Sequence, residues 1–93
     1  MSASPVTLDG AWRLSGSVAL RPEPFGALAY DFHSRRLSFL KTPTLVDVVR
    51  RLGASRTVGD ALVGARVADD ERPGYLAALA GLARGGLIEE QPR

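Results

Sequence analysis

The spacing of apolar residues divides the chain into a first half of period two and a second half of period three to four. In Trp12–Arg21, WRLSGSVALR, Trp12 and Leu14 stand at alternate positions, and a second phase begins after Gly16 with Val18 and Leu20. Alternation of this kind predicts a half-buried strand, with Gly16 as a bulge or bend between its halves. The run Arg21-Pro-Glu-Pro24 breaks it. GALAYDF at 26–32 places Leu28, Tyr30 and Phe32 on one face and Ala27, Ala29 and Asp31 on the other. His33-Ser-Arg-Arg36 supplies a polar turn, and Leu37 and Phe39 resume the alternation, so the stretch reads as a hairpin.

Beyond Lys41 the period changes. Thr42 is placed as an N-cap with Pro43 at the first helical position, where a missing N–H costs nothing, and Leu45, Val48, Val49 and Leu52 follow at helical spacing before Gly53. Thr57 with Asp60 three residues on starts a second short helix whose buried side is Val58, Ala61 and Leu62. Asp69-Asp-Glu opens a third, its negative first turn suiting the positive end of the helix dipole. Tyr75, Leu76, Leu79, Ala80, Leu82 and Ala83 form its apolar stripe, Gly85-Gly86 stops it, and Leu87 and Ile88 tuck back before a polar tail. Strands followed by helices predict an α+β domain in which a three-stranded antiparallel sheet packs on three helices. Residues 1–10 read as a flexible lead-in and residues 11–90 as the domain.

Composition narrows the chemistry. Ninety-three residues at 45% hydrophobic and 24% charged make one ordinary globular core. The absence of cysteine removes disulfides, thiolate nucleophiles and cysteine-ligated metals, and suits a reducing cytosol. No secretory signal opens the chain, and no apolar run approaches the roughly 20 residues that span a bilayer. Residues 1–56 carry eight Arg/Lys against four Asp/Glu, and residues 57–93 four against six, so the strand-bearing half is the basic one.

Catalysis finds little support. His33 is the only histidine and lies in a turn; Asp69, Asp70 and Glu71 are helix-start charges without EF-hand spacing; Glu89 and Glu90 stand in the tail without a basic partner in sequence. Short helices in series raise the alternative of a winged-helix nucleic-acid-binding module. A recognition helix should present polar side chains to base edges, but GYLAALAGLARG offers only Arg72 before it and Arg84 at its end. Two readings of the last strand then remain. It is an edge protected by Arg35, Arg36, Lys41 and Pro43, or an edge that accepts an extended peptide as a further strand.

From about Leu20 to Ile88 the chain resembles the PqqD-like peptide chaperones, the RiPP recognition elements that deliver precursor peptides to tailoring enzymes. PFGALAYDF, RRLSFLK with its following proline, TVGDAL and LARGGLIE carry the resemblance by their order, and within that group the run is similar to the chaperones of mycofactocin biosynthesis. The resemblance implies a winged-helix-like fold without a DNA-reading surface, a non-catalytic role and no cofactor. It implies two partners, the leader of a precursor peptide and a radical S-adenosylmethionine (SAM) maturase that decarboxylates and crosslinks the peptide's terminal Val-Tyr pair. The peptide-binding candidates are Arg36, Leu37, Ser38, Phe39, Leu40 and Lys41 on the strand and Tyr75, Leu76, Leu79 and Ala83 on the third helix. Leu37 and Phe39 are expected to share a groove with the helix residues, and Arg35, Arg36 and Lys41 to form a basic rim.

Overall fold

The structure is a computed structural model and describes residues 5–92. Strands β2 (Val18–Glu23), β3 (Gly26–Asp31) and β4 (Leu37–Leu40) form an antiparallel meander in that order. Ala27 and Ala29 of β3 and Leu40 of β4 are buried, and Leu28, Tyr30, Leu37 and Phe39 lie on the opposite face. The two small alanines let helix α1 (Pro43–Leu52) pack close against β3. Gly26 is required beside β4, because a Cβ there would strike the Leu40 carbonyl oxygen. The expected break at Pro22 does not occur, since Pro22 belongs to an edge strand and its absent N–H faces away from β3.

The buried Asp31 carboxylate fixes the β3–β4 turn. Its Oδ1 accepts the Ser17 hydroxyl at 2.7 Å and the His33 N–H at 2.9 Å, and its Oδ2 accepts the Ser34 hydroxyl at 2.9 Å. The Asp31 N–H in turn donates to the Arg36 carbonyl at 2.9 Å, which launches β4 in register.

The strand expected over Trp12–Arg21 is two strands. β1 (Trp12–Leu14) pairs with a C-terminal strand β5 (Ile88–Glu90), Leu14 opposite Ile88, and the Gly16-Ser17 turn carries the chain into the other sheet. Trp12 and Ile88 bury together in the core, an anchor the local pattern does not reveal. The polar tail is therefore structured. Glu89, read as unpartnered, meets Arg13 at 2.8 Å, and hydrogen bonding to that guanidinium holds its carboxyl below the usual range. Gln91 closes the end: its N–H donates to the Ala11 carbonyl at 2.9 Å, and its side-chain amide to the carbonyls of Trp12 and Leu52 at 2.6 and 2.8 Å.

The first two helices follow their predicted caps, whereas the acidic run expected to open the third lies ahead of it and its first turn carries no acid. Thr42 accepts the Leu45 N–H and Thr57 the Asp60 N–H, both at 3.1 Å, opening α1 and α2 (Val58–Gly64). Val48, Val49 and Leu52, then Val58, Ala61 and Leu62, are buried as the spacing predicts. Asp69–Glu71 forms a 3-10 turn that runs into α3 (Arg72–Arg84). α3 ends in a Schellman motif, with Gly86 left-handed at φ 77° and the Leu87 N–H returning to the Leu82 carbonyl at 2.9 Å. Over its described part, the lead-in is pinned. Val6 is buried, and the Leu8 and Gly10 carbonyls accept the Gly59 and Val58 N–H groups at 2.9 and 2.8 Å, satisfying donors that the first turn of α2 cannot satisfy internally. Residues 1–4 lie outside the described residues. The fold is α+β, with three α-helices and the three-stranded sheet as expected, and a second two-stranded sheet in addition.

The Asp31 carboxyl, held from 3.8 down to about 2 chiefly by the Ser17 hydroxyl, contributes stability that is complete above its unfolded value and is lost as pH falls through about 2. Thermal melts followed by circular dichroism should show the wild type losing stability between about pH 4 and pH 2. Asp31→Asn should melt lower at neutral pH and show a shallower acid slope over that window.

Candidate functional site

Backbone polarity along β4 follows from the ladder. Opposed pairs in an antiparallel ladder alternate between exchanging and not exchanging hydrogen bonds. Because Asp31 donates to Arg36, the exchanging pairs are 31/36, 29/38 and 27/40. Ser38 and Leu40 thus spend their backbone groups on β3. Leu37 and Phe39 point theirs out of the sheet, and these have no hydrogen-bond partner among the described residues.

The opposite edge differs. On β2 the outward groups belong to Val18, Leu20 and Pro22. The Val18 N–H is taken by the Ser15 carbonyl at 3.0 Å, and Pro22 has no N–H, so Leu20 alone offers a donor there. Of the two edges, β4 is the open one.

Just beyond β4, a hollow of about 430 Å³ lies between the start of α1 and the start of α3. Thr42 and Leu45 line one side and Gly74, Tyr75 and Ala78 the other, with the exposed Asp70 and Glu71 at its rim. Gly74, Tyr75 and Ala78 stand on one face of α3 by helical spacing, and Glu71 of the preceding 3-10 turn continues it. Gly74 and Ala78 are small, and that smallness leaves the space open.

The sequence candidates are dispersed by this arrangement. Leu40 and Leu79 are fully buried core residues. Leu76 and Ala83 are half-buried against the core and do not line the hollow, whereas Tyr75 does. Leu37 and Phe39, 58% and 59% exposed, carry their side chains on the outer face of the sheet, away from the core face that holds Leu40. Their side chains therefore do not share a groove with α3. Arg36 and Lys41 are exposed at the two ends of β4, and Ser38 is half-buried on its inner face. Sequence reasoning missed Thr42, Leu45, Gly74 and Ala78; the signal available for the last two was a pair of small residues four apart on one helix face.

No group of three or more acidic or histidine side chains among the described residues is arranged to hold a metal ion. No helix among them is long and apolar enough to cross a membrane.

Residues 11–89 match the peptide chaperone MftB family. The chain belongs to that family. It is 49% identical over 80 residues to the peptide chaperone MftB of Mycolicibacterium smegmatis, covering 86% of this chain and 78% of the relative. It is 48% identical over 83 residues to that of Mycobacterium ulcerans, covering 89% and 76%, and 46% identical over 80 residues to that of Mycobacterium tuberculosis, covering 86% and 73%. No solved structure matches. The matched span runs from β1 into β5, so nearly all of the two-stranded sheet lies in the MftB family region along with the hairpin and helices. A peptide chaperone's role is non-catalytic, and the site of an MftB family member is accordingly sought as a binding surface.

Proline substitution reads out the ladder directly. Ser38→Pro removes an inward N–H, leaves the Ala29 carbonyl unpaired, and should lower Tm by about 5 °C or more. Phe39→Pro removes an outward N–H and should lower Tm by less than about half as much. Circular dichroism melts of both variants check the assignment.

Proposed function

We propose that this chain binds the leader of a mycofactocin precursor peptide as an added strand on the β4 edge and presents it to a radical SAM maturase in the cytoplasm. The observation that carries the reading is the inequality of the two sheet edges. β4 offers two N–H and two C=O groups outward, while β2 is stopped by Pro22 and by the Ser15 carbonyl. An extended peptide on β4 continues past Leu40 toward the hollow at Thr42, Leu45, Tyr75 and Ala78, where one apolar side chain fits. In this reading the β3–β4 hairpin and the helices form a PqqD-like winged helix whose edge serves a peptide.

Magnitudes assign the parts. Four backbone hydrogen bonds at about 1 kcal/mol net each give an affinity near millimolar. An anchoring Leu- or Phe-sized side chain adds about 1.5–3 kcal/mol on burial. Arg36 and Lys41 bracket the strand and favour acidic leader residues, acting on association rate more than on final affinity. Leu40 and Leu79 act from below, as the packed floor that holds β4 and α3 in place. Holding the leader beside the maturase raises the effective concentration of the reacting end without any group in this chain taking part in the chemistry.

The exposed positions of α3 favour this reading over nucleic-acid binding. Pro73, Gly74, Ala77 and Gly81 offer no polar side chain to a base edge, and Arg84 stands alone at the end of the helix.

Titration with the precursor peptide encoded by a small neighbouring reading frame ending in Val-Tyr, followed by amide NMR, should shift Leu37 and Phe39 and the residues lining the hollow. Ala78→Phe fills the hollow and should weaken the peptide at least tenfold, about 1.4 kcal/mol, at unchanged Tm. Affinity should fall only gently with salt. Saturable duplex DNA binding with a log-log slope near −0.9 per phosphate neutralised, and no peptide binding, would falsify the proposal.

A further inference from the structure

Four of the large apolar side chains that stand exposed belong to one surface, the outer face of the three-stranded sheet and its two ends. In cross-strand rows, Ala19 faces Tyr30 and Tyr30 faces Leu37, while Arg21 faces Leu28 and Leu28 faces Phe39. Phe32 stacks edge-on against Tyr30 at 4.9 Å, and Phe25 lies 5.8 Å from Phe39, extending the rows at either end. Phe25 is 42% exposed and Phe32 63%. With each aromatic worth about 150–250 Å² when fully covered, Phe25, Phe32 and Phe39 together with Leu37 present on the order of 400 Å² of apolar surface, the size at which a patch on a soluble protein marks an interaction site. The core does not need this face covered, because the inner face already packs against the helices.

Cations surround the patch. Arg21 stands on the face itself, Arg35 and Arg36 at the turn end of β4 and Lys41 at its other end, all exposed. The acid closest in sequence to Arg21 is Glu23, and the two are already paired at 3.4 Å. A second copy of this chain is a poor occupant, since face-to-face pairing would set these cations against their own kind. Its apolar area is also about half of what one partner contributes to a standard interface, and well short of an obligate dimer.

We infer that the outer sheet face is a second docking surface, which takes a folded protein bearing an apolar patch ringed by carboxylates, and that this protein is the maturase to which the peptide is presented. The inference rests on the proposed function for the existence of that enzyme partner. One strand then serves both partners. The outward backbone of Leu37 and Phe39 holds the peptide, and their side chains, with Phe25 and Phe32, meet the enzyme. The bound leader would lie along the border of the enzyme contact, and its far end would reach the enzyme with little slack.

The test uses the full chain, a purified radical SAM maturase and the precursor peptide, with variants outside the peptide site. Phe32→Ser and Phe25→Ser remove exposed apolar surface, and Arg21→Glu reverses a charge; each is checked for an unchanged melting temperature. Expected results are at least a tenfold loss of maturase affinity by biolayer interferometry for Phe32→Ser, a slower and less salt-sensitive association for Arg21→Glu, and peptide affinity within twofold of wild type for both. Phe25→Ser serves if Phe32→Ser melts early. Maturase affinity unchanged in all three folded variants overturns the inference. So does loss of peptide affinity in step with enzyme affinity, which would assign the face to the peptide, or a wild-type dimer in sedimentation that Phe32→Ser dissociates, which would assign it to a second copy. A wild type that binds maturase but no peptide rejects the proposed function and leaves the docking surface standing.

Discussion

The buried carboxylate of Asp31 is the joint on which the geometry of the sheet turns. It gathers the Ser17 hydroxyl at the start of β2, the His33 N–H and the Ser34 hydroxyl of the turn, so a single charged group links the ends of all three strands. Burying a carboxylate is unfavourable unless donors surround it, and here the donors are the groups whose placement decides where β4 begins. The register that follows sends the Leu37 and Phe39 backbone outward and commits Ser38 and Leu40 to β3. The open edge is thus a consequence of a polar cluster at the far end of the hairpin.

A second closure holds the chain ends. β5 lies beside β1, the Arg13–Glu89 pair sits across that ladder, and Gln91 reaches carbonyls from both β1 and α1. The exposed ion pair contributes little by itself, on the order of 0–1 kcal/mol. Trp12, Leu87 and Ile88 in the core supply the larger share. With both ends fastened, α3 is fixed at its C-terminus by the Schellman turn and at its N-terminus by the 3-10 turn, and the hollow between α1 and α3 has defined walls.

The elements legible in the sequence were those specified locally. Thr42-Pro43 and Thr57 with Asp60 state their caps within four residues, and the hairpin announces itself by alternation and a polar turn. The β1–β5 pairing was illegible because it joins positions such as Arg13 and Glu89, 76 apart, through strands of three residues with no periodicity to count. The site was half legible. That β4 is an edge followed from the pattern, and the topology agrees. Which face of it looks inward did not, because both faces are apolar: large Leu28, Tyr30, Leu37 and Phe39 compete with small Ala27 and Ala29 and with Leu40. Bulk suggests that the large set is core, but close approach of a helix demands the small set, and helix packing prevails. Placing Leu37 and Phe39 beside α3 was the cost of missing that contest.

The blunted edge of β2 has a bearing on association in general. Strand-to-strand growth needs two open edges per molecule, one to accept and one to offer. This sheet has one, since Pro22 and the Ser15–Val18 hydrogen bond terminate the other. Pairing between copies through β4 therefore uses up the open edge of this sheet in both molecules. With the β2 edge blunted, pairing of this sheet through β4 gives a closed pair instead of a growing ribbon.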